Sequence, residues 1–253
     1  MPVFTTPITQ QNQAGTSGII GYPAIGSMKQ FIIFSDEFNR EVVNPTNAVA
    51  LYTTVNNAGT GATTIANQDA LQIATTASSN DDNDTRISGV GFARVANYID
   101  LRTTLIFDII FTTDTAIANQ QFFVGIIDSN TSISGLPTTT RHLGVYLDTS
   151  VDNDLRLSSA NGTTQVKTDI GVATASKHYR LNINWNGDDS ATLTLYIATG
   201  SPQVYTSVLG TQTVTSLANG ANFLHAYELH GYNKTLTTAA KKLFLEEWAC
   251  TAQ

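Results

Sequence analysis

The stretch HYRLNINWNGDDSATLTLYI, residues 178–197, alternates apolar and polar residues almost without a break. Every second residue of its first half is apolar, namely Tyr179, Leu181, Ile183 and Trp185. Turn-forming residues follow, and the alternation then resumes with Leu193, Leu195 and Ile197. Because successive side chains of a strand point to opposite faces of its sheet, this pattern predicts a β-hairpin with one buried face. The opposite face carries Arg, Asn, Thr and His residues. We interpret it as an outer wall of the folded domain on which no set of reactive residues is assembled.

Strand patterns continue along most of the chain from residue 31 onward. The longest covers residues 98–111 and places on one face Leu101, Leu105, Phe107, Ile109 and Phe111. Residues 122–128, FFVGIID, are apolar on both faces, as expected of a central strand that is covered on both sides. We expect at most one or two helical turns, at residues 235–242. The chain is therefore predicted to be all-β, a two-sheet antiparallel β-sandwich or jelly roll that forms a single domain over residues 31–253.

Residues 1–30 differ from the rest of the chain. They contain three of the six prolines and show no sustained hydrophobic period. Such a segment cannot form a core by itself, so we expect an extended N-terminal arm. The arm either remains a loose tail or docks on a neighbouring subunit, and its apolar residues favour docking.

Charge and cysteine content exclude several classes of function. The formal net charge is −7, and the 13 Lys and Arg residues are scattered, which argues against nucleic-acid binding. Neither a signal-peptide pattern nor a run of about 18 apolar residues is present, so we expect a soluble protein made in the cytoplasm, without membrane insertion. Cys250 is the single cysteine, which excludes an intrachain disulfide, and we expect it in the core.

Several phrases, in this order, resemble a known fold family. They are FSDEFNRE at 34–41, then FFVGIID, GVYLD, HYRLNINWNG and LFLEEW. Together they resemble the concanavalin A-like lectin/glucanase jelly roll of bacteriophage virion structural proteins, over about residues 34–250. Those proteins often begin with an Asp-x-Phe-Asn-Arg phrase, which here is Asp36, Phe38, Asn39 and Arg40. The resemblance implies a jelly roll in a virion protein, but the fold also hosts lectins, hydrolases and lyases.

The catalytic patterns of the enzymes in that family are missing. Retaining glycosidases of this fold carry a Glu-x-Asp-x-(x)-Glu strand, whose two carboxyls lie about 5 Å apart. None of the five glutamates falls in such a pattern; they are Glu37, Glu41, Glu228, Glu246 and Glu247. The Arg-x-Glu-x-Arg strand of the lyases is also missing, since Arg102 has no carboxylate two residues on. We therefore predict no catalytic residues.

Histidines provide the remaining candidates for chemistry. Glu228 and His230, in YELHGY, lie two apart on a strand and share a face, so they form a possible acid/base pair. The alternative, which we favour, is an exposed polar strand face on which a carboxylate meets an imidazole. We expect His142 and His178 to stand alone on solvated polar faces.

Loops rich in aspartate provide the best candidates for metal ligands. Residues 80–84 offer Asp81, Asp82 and Asp84 as oxygen ligands for Ca²⁺. Their spacing matches no known calcium loop, and turns favour Asp and Asn in any case. We therefore predict no metal and no cofactor. We expect Trp185 and Trp248 to be core residues, and the Asn-x-Thr/Ser matches to be chance, at Asn83, Asn130, Asn161 and Asn233.

Three hypotheses of function remain. The favoured one is a non-enzymatic virion structural protein, a capsid decoration or head-fibre protein that attaches to capsid or tail subunits through its arm and forms a homo-oligomer. The alternative is a carbohydrate-binding module of a tail or head fibre that recognises cell-surface glycans. The third, and least favoured, is a polysaccharide-degrading enzyme that uses Glu228 and His230.

Overall fold

A computed structural model describes most of the chain from residue 31 to residue 252. The described residues are 31–36, 53–66, 70–78, 80–86, 99–100, 104–128, 133–186, 190–215, 217, 224–225 and 227–252. The expected N-terminal arm lies outside these residues, as do Phe38, Asn39 and Arg40 of the opening phrase. The part of the chain that the structure describes contains no helix that could span a membrane.

The described residues form seventeen β-strands. In chain order they are β1 (Phe31–Asp36), β2 (Thr53–Ala58), β3 (Ala62–Ala66), β4 (Ala70–Ala74), β5 (Asp82–Arg86), β6 (Ile99–Asp100), β7 (Leu105–Thr113), β8 (Gln120–Asp128), β9 (His142–Asp148), β10 (Asp154–Ala160), β11 (Gln165–Val172), β12 (His178–Trp185), β13 (Ala191–Thr199), β14 (Val204–Val214), β15 (Leu224–His225), β16 (Tyr227–Thr235) and β17 (Lys242–Ala252).

These strands build two antiparallel sheets. The eight-stranded sheet has the order β14-β13-β12-β7-β17-β4-β3, with β1 also paired to β17. The seven-stranded sheet has the order β11-β10-β9-β8-β16-β5-β2, and β6 pairs with β15 separately. The hydrophobic core contains side chains from both large sheets. The prediction of an all-β, two-sheet antiparallel sandwich is therefore confirmed.

The predicted hairpin is formed by β12 and β13, with Tyr179 opposite Ile197 and Trp185 opposite Ala191. All four apolar side chains that its first strand was expected to bury are fully buried. The strand predicted over residues 98–111 is divided, because Ile99–Asp100 belongs to a separate pair and β7 begins at Leu105. Strand β8 lies between β9 and β16 and is buried on both faces, as the sequence predicted.

The core is closely packed with aromatic rings. The Phe111 ring stacks on Tyr179 with centroids 5.4 Å apart, and it meets the edge of Phe122 at 6.0 Å. Trp185 and Trp248 are fully buried in the same cluster, which confirms their predicted core role. Burial of each large apolar side chain contributes about 1.5–3 kcal/mol, so this cluster supplies the main driving force for joining the sheets.

A buried polar cross-link also joins the two sheets. Asn233 on β16 donates its amide hydrogens to the carbonyls of Ile73, at 2.8 Å, and Lys241, at 3.0 Å. Gln120 on β8 donates to Asn233 Oδ1 at 2.8 Å and to the carbonyl of Lys242 at 3.0 Å. Both amide side chains are fully buried. Because its side chain is buried, Asn233 cannot be glycosylated in the folded protein. This agrees with the expectation that its Asn-x-Thr match is due to chance.

Residues 235–242, for which the sequence allowed one or two helical turns, contain no helical turn in the structure. Residues 236–239 form a bend, and β17 begins at Lys242. The hydroxyl of Thr235 lies 3.1 Å from the carbonyl oxygen of Thr237 and 2.6 Å from that of Ala239. A threonine hydroxyl that binds nearby backbone carbonyls competes with the helical pattern of hydrogen bonds, and here it stabilises a bend.

Cys250 is fully buried in the core, as predicted, and burial raises the pKa of its thiol. Since the thiolate is the reactive form, we expect the native protein to resist a maleimide reagent, while the unfolded protein is labelled completely. Mass spectrometry with and without guanidinium checks this expectation. Equal labelling rates in the two conditions contradict it.

Candidate functional site

The polar side of the β12–β13 hairpin faces away from the core on the eight-stranded sheet. Strand β12 lies between β7 and β13, so Asn182 is opposite Asp108 and Arg180 is opposite Tyr196. Side chains at opposite positions of neighbouring strands share a face and lie within contact distance. Asp108, Arg180, Asn182 and Tyr196 therefore form one group, which we call the hairpin patch.

Asp108 holds two members of the hairpin patch in place. Arg180 Nε donates to Asp108 Oδ1 at 2.8 Å, and Asn182 Nδ2 donates to the same oxygen at 2.9 Å. The hydrogen bond to Asp108 raises the pKa of Arg180, so the guanidinium stays charged. The Arg180 side chain is 37% exposed and that of Asp108 is 25% exposed. These polar groups are thus fixed by the strands and reachable from solvent.

Several donor and acceptor atoms of the hairpin patch take no part in the contacts within the described chain. A guanidinium has five N–H donors, and a carboxylate or an amide oxygen accepts more than one hydrogen bond. Within the described chain, the contacts of the patch use only Nε of Arg180, Oδ1 of Asp108 and Nδ2 of Asn182. The terminal nitrogens of Arg180, Oδ2 of Asp108 and Oδ1 of Asn182 are therefore available to a ligand.

Two tyrosines border these polar groups. The Tyr196 ring is half-buried, and its centroid lies 6.0 Å from Arg180 Cζ. Tyr205, on edge strand β14, is also half-buried. Burial, together with the negative charges of Glu246 and Glu247, raises the pKa of Tyr205 to about 12. Its hydroxyl therefore stays protonated, and it donates to Gln203 Oε1 at 3.1 Å.

A second polar group on the same face contains Thr112, His178 and Glu246. His178 Nδ1 lies 2.6 Å from Thr112 Oγ1 and 2.7 Å from Glu246 Oε1, and the threonine hydroxyl also donates to Glu246. The expectation that His178 stands alone is wrong, because the register of three strands joins these residues. A catalytic triad needs the nucleophile and the acid on different ring nitrogens. Here both meet Nδ1, so the group does not activate Thr112.

The outer face of the seven-stranded sheet contains a second apolar cluster. Phe123, Ile127, Tyr146 and Tyr232 form it, and Ile133 and Leu136 from the β8–β9 connection pack against it. Glycine at position 144 makes room for the Phe123 ring, because a Cβ there would lie 2.5 Å from ring carbon Cε2. The aromatic side chains on this face are therefore covered and buried.

His142 is buried at the base of that connection, so the expectation of a solvated side chain is wrong. Its Nδ1 lies 2.7 Å from the Thr140 carbonyl, and its Nε2 lies 2.7 Å from Ser158 Oγ. Because a carbonyl only accepts, Nδ1 carries the proton and Nε2 accepts from the hydroxyl. Gln165 also donates to Ser158 Oγ, at 3.0 Å. Burial lowers the pKa of His142 to about 4, and the nearby charge of Lys167 adds to the effect.

Glu228 and His230 lie on β16, and their spacing places them on one face of the seven-stranded sheet. His230 is opposite Gly125 on β8 and Arg86 on β5, and its side chain is fully buried. The favoured interpretation of an exposed polar face is therefore wrong for His230. An imidazole without solvent access cannot reach a polymer substrate. The side chain of Glu228 lies outside the described part of the chain.

Polar groups on the outer face of the seven-stranded sheet bind mainly one another. Arg156 donates to Asp152 and, through Nε at 2.6 Å, to Asp169. Asp148 accepts from the Ser150 backbone at 3.1 Å, from the Ser150 hydroxyl at 2.6 Å and from Gln121 at 2.7 Å. These contacts hold the side chains of Arg156 and Asp148 in place on the outer face of the seven-stranded sheet.

Asp81 and Asp82 of the 80–84 loop point to different partners, and the side chain of Asp84 lies outside the described part of the chain. Asp81 accepts from the backbone and hydroxyl of Thr76, and Asp82 Oδ2 lies 3.5 Å from the Tyr232 hydroxyl. Among the described residues, no group of three or more His, Cys, Asp or Glu side chains is placed to hold a metal ion. Asp81 thus contributes to the turn between β4 and β5.

Sequence reasoning missed two members of the hairpin patch. The alternating pattern placed Arg180 and Asn182 on a polar face, but Asp108 belongs to a strand far away in the chain. Tyr196 falls on the same polar face by the period of two, and an aromatic residue at an outward position was the signal that could have identified it. Asp108 could be assigned to the hairpin patch only once the pairing between β7 and β12 was known.

Comparison with known proteins defines the fold further. No family model and no curated protein sequence matches this chain. The metal-free carbohydrate recognition domain of Emp46p matches with a TM-score of 0.56 and 8% identity, over 85% of this chain and 94% of that one. Peanut lectin matches with a TM-score of 0.52 and 10% identity, over 87% and 96% of the two chains.

A phage protein is also among the similar structures. The CBM2 module of the evolved Dit protein of Lactobacillus casei BL23 phage J-1 matches with a TM-score of 0.51 and 12% identity, over 88% of this chain and 96% of that one. Identities this low establish a shared fold alone. The chain shares the jelly-roll fold of these structures, so the resemblance seen in the sequence is confirmed for the fold.

Proposed function

We propose that this protein is a non-enzymatic carbohydrate-binding module and that the hairpin patch is its binding surface. One observation carries the proposal: Asp108, Arg180 and Asn182 are held in position with unused donors and acceptors beside the half-buried ring of Tyr196. Sugar hydroxyls both donate and accept hydrogen bonds, and the C–H face of a sugar ring packs on an aromatic ring. The patch offers both kinds of contact.

The structural neighbours support this hypothesis more than capsid decoration, which the sequence favoured. Two of them are, by name, a carbohydrate recognition domain and a lectin, and a third is a module of a phage protein. We place the module on a phage particle, where it would bind cell-surface glycans. Support for that location comes from the sequence resemblance, and attachment through residues 1–30 to capsid or tail subunits stays a prediction.

The chemistry of the described residues supports binding without turnover. His178 and Thr112 lack the geometry of an activated nucleophile, since Glu246 and Thr112 meet the same ring nitrogen. His230 is fully buried. A module of this kind needs only ordered polar groups and an accessible ring, which the hairpin patch supplies.

A glycan array followed by isothermal titration calorimetry tests the proposal. We expect the wild type to bind at least one class of glycan. Asn182→Ala should weaken binding about tenfold, since a lost hydrogen bond of about 1.4 kcal/mol corresponds to that factor. Tyr196→Ala should weaken it to a similar extent through lost packing.

Asn184→Ala is the matched control, because Asn184 lies on the same strand and face but outside the hairpin patch. It should bind like the wild type. A wild type that binds no glycan contradicts carbohydrate binding. An Asn182→Ala variant that binds as well as Asn184→Ala contradicts the assignment of the surface.

A further inference from the structure

The connection between β8 and β9 lies over the outer face of the seven-stranded sheet. Its described residues directly before β9 are 133–141, which we call the strap. The strap packs through Ile133 and Leu136 against the aromatic cluster on that face. The rings of this cluster are at most 4% exposed, and they belong to Phe123, Tyr146 and Tyr232. The strap thus covers aromatic side chains that point away from the core between the sheets.

One chain of hydrogen bonds begins and ends on the strap. Gln165 on β11 donates its amide hydrogens to the Pro137 carbonyl, at 2.9 Å, and to Ser158 Oγ, at 3.0 Å. The Ser158 hydroxyl donates to His142 Nε2 at 2.7 Å, and His142 Nδ1 donates to the Thr140 carbonyl at 2.7 Å. The strap is therefore held at two points, Pro137 and Thr140, through one imidazole ring.

This chain of hydrogen bonds is compatible only with a neutral His142. A protonated imidazole is a donor at both nitrogens, so its Nε2–H would meet the hydroxyl hydrogen of Ser158. Ser158 is fully buried, so water cannot accept that hydrogen when it turns away. Protonation also places a charge on a side chain that is itself fully buried. Both penalties disappear when the strap lifts and the ring meets water.

The charged and titratable groups around His142 come from several elements. They are Lys167 on β11, Arg141 and Asp128 at the base of the strap, and Glu228 and His230 on β16. Burial and the charge of Lys167 lower the pKa of His142 to about 4. Arg141 and Asp128 form an ion pair at 3.5 Å, so their charges offset each other. The side chain of Glu228 lies outside the described part of the chain, and His230 is a second histidine, so the test has to isolate His142.

We propose that the strap is an acid-sensitive cover, and that protonation of His142 releases residues 133–141 and uncovers the aromatic cluster. With the strap open, the imidazole binds a proton with its ordinary pKa of 6.5, whereas the closed state binds it with a pKa of about 4. The ratio of open to closed molecules therefore rises by up to about tenfold per pH unit as the pH falls between these values. This device does not depend on the proposed function.

Hydrogen exchange of the Asp128 amide tests the proposal, because this amide donates to the Arg141 carbonyl of the strap at 2.9 Å. In the wild type its protection factor should fall about 100-fold between pH 7 and pH 4. In His142→Gln, which has no imidazole to protonate, the protection factor should stay nearly constant. Amides of β12 in the other sheet should exchange more slowly than Asp128 at every pH, which separates opening of the strap from global unfolding.

Gln165→Ala provides a second test, because it removes the hydrogen bond to Pro137. It should speed exchange of the Asp128 amide about tenfold at pH 7, the effect of one lost hydrogen bond. Gln121→Ala is the matched control, since Gln121 lies on the same outer face but donates to Asp148, at 2.7 Å. Circular dichroism spectra like that of the wild type show that the variants are folded.

Four outcomes overturn the proposal. They are a wild-type protection factor that does not change with pH, a His142→Gln variant that follows the wild-type profile, an Asp128 amide that exchanges only as fast as those of β12, and a Gln165→Ala variant that exchanges like Gln121→Ala. Hydrogen exchange is measured without any glycan, so these outcomes are independent of the test of the hairpin patch.

Discussion

Replacing Asn233 with alanine is expected to lower the free energy of unfolding by about 3–4 kcal/mol. The substitution removes the amide that donates to the carbonyls of Ile73 and Lys241 and accepts from Gln120. All these groups lie between the sheets, where water cannot replace the lost partner. A buried polar group without a partner costs about 1–3 kcal/mol, and several are created at once.

Urea unfolding, followed by tryptophan fluorescence, measures this loss. The fluorescence change reports global unfolding, because Trp185 and Trp248 are both fully buried. Asn186→Ala is the control, since Asn186 is exposed just after β12 and, among the described residues, bonds to Ser190. We expect the control to change stability by less than about 1 kcal/mol. A loss for Asn233→Ala no larger than that of the control would show that the cross-link is not stabilising.

Acidification from pH 7 to pH 4 is expected to remove about 3 kcal/mol of stability through His142 alone. The pKa of this side chain is about 4 in the folded protein, whereas its ordinary value is 6.5. Between these values the unfolded chain binds a proton that the folded chain excludes. The full stability is therefore present above pH 6.5, declines by about 1.4 kcal/mol per pH unit and levels off below pH 4.

The difference in unfolding free energy between the wild type and His142→Gln, measured from pH 7.5 to 4, isolates this effect. Carboxyl groups with lowered pKa values, such as Asp148 and Asp152, titrate in both proteins and cancel in the difference. The difference in unfolding free energy between the wild type and His142→Gln should therefore change with pH. A difference that stays constant would show that the folded protein does not hinder protonation of the His142 imidazole.

The alternating pattern predicted the inward faces of strands correctly. Tyr179, Leu181, Ile183 and Trp185 are buried because a period of two is a local property, set by neighbouring residues of one strand. The same holds for the core positions of β7 and for both faces of β8. Sequence therefore predicted the fold class and the elements well.

Predictions of exposure failed where other parts of the chain cover a polar position. His142 and His230 were expected on solvated faces, and both are fully buried. Ile133 and Leu136 pack against a cluster on that outer face of the sheet. A binary pattern shows which side of a strand faces the core, but it does not show whether a connection returns over the other side.

The residue pattern was sufficient to show that this chain forms strands with an apolar inner side and that its sheets pack as a sandwich. Which side chains meet on the outer surface could be learned only from the folded chain. Asn182 and Asp108 are 74 residues apart and Thr112 and Glu246 are 134 apart, so no local pattern links them. The contacts between these side chains depend on strand pairing and register. Both are set by the packing of the whole core and by the connections between strands.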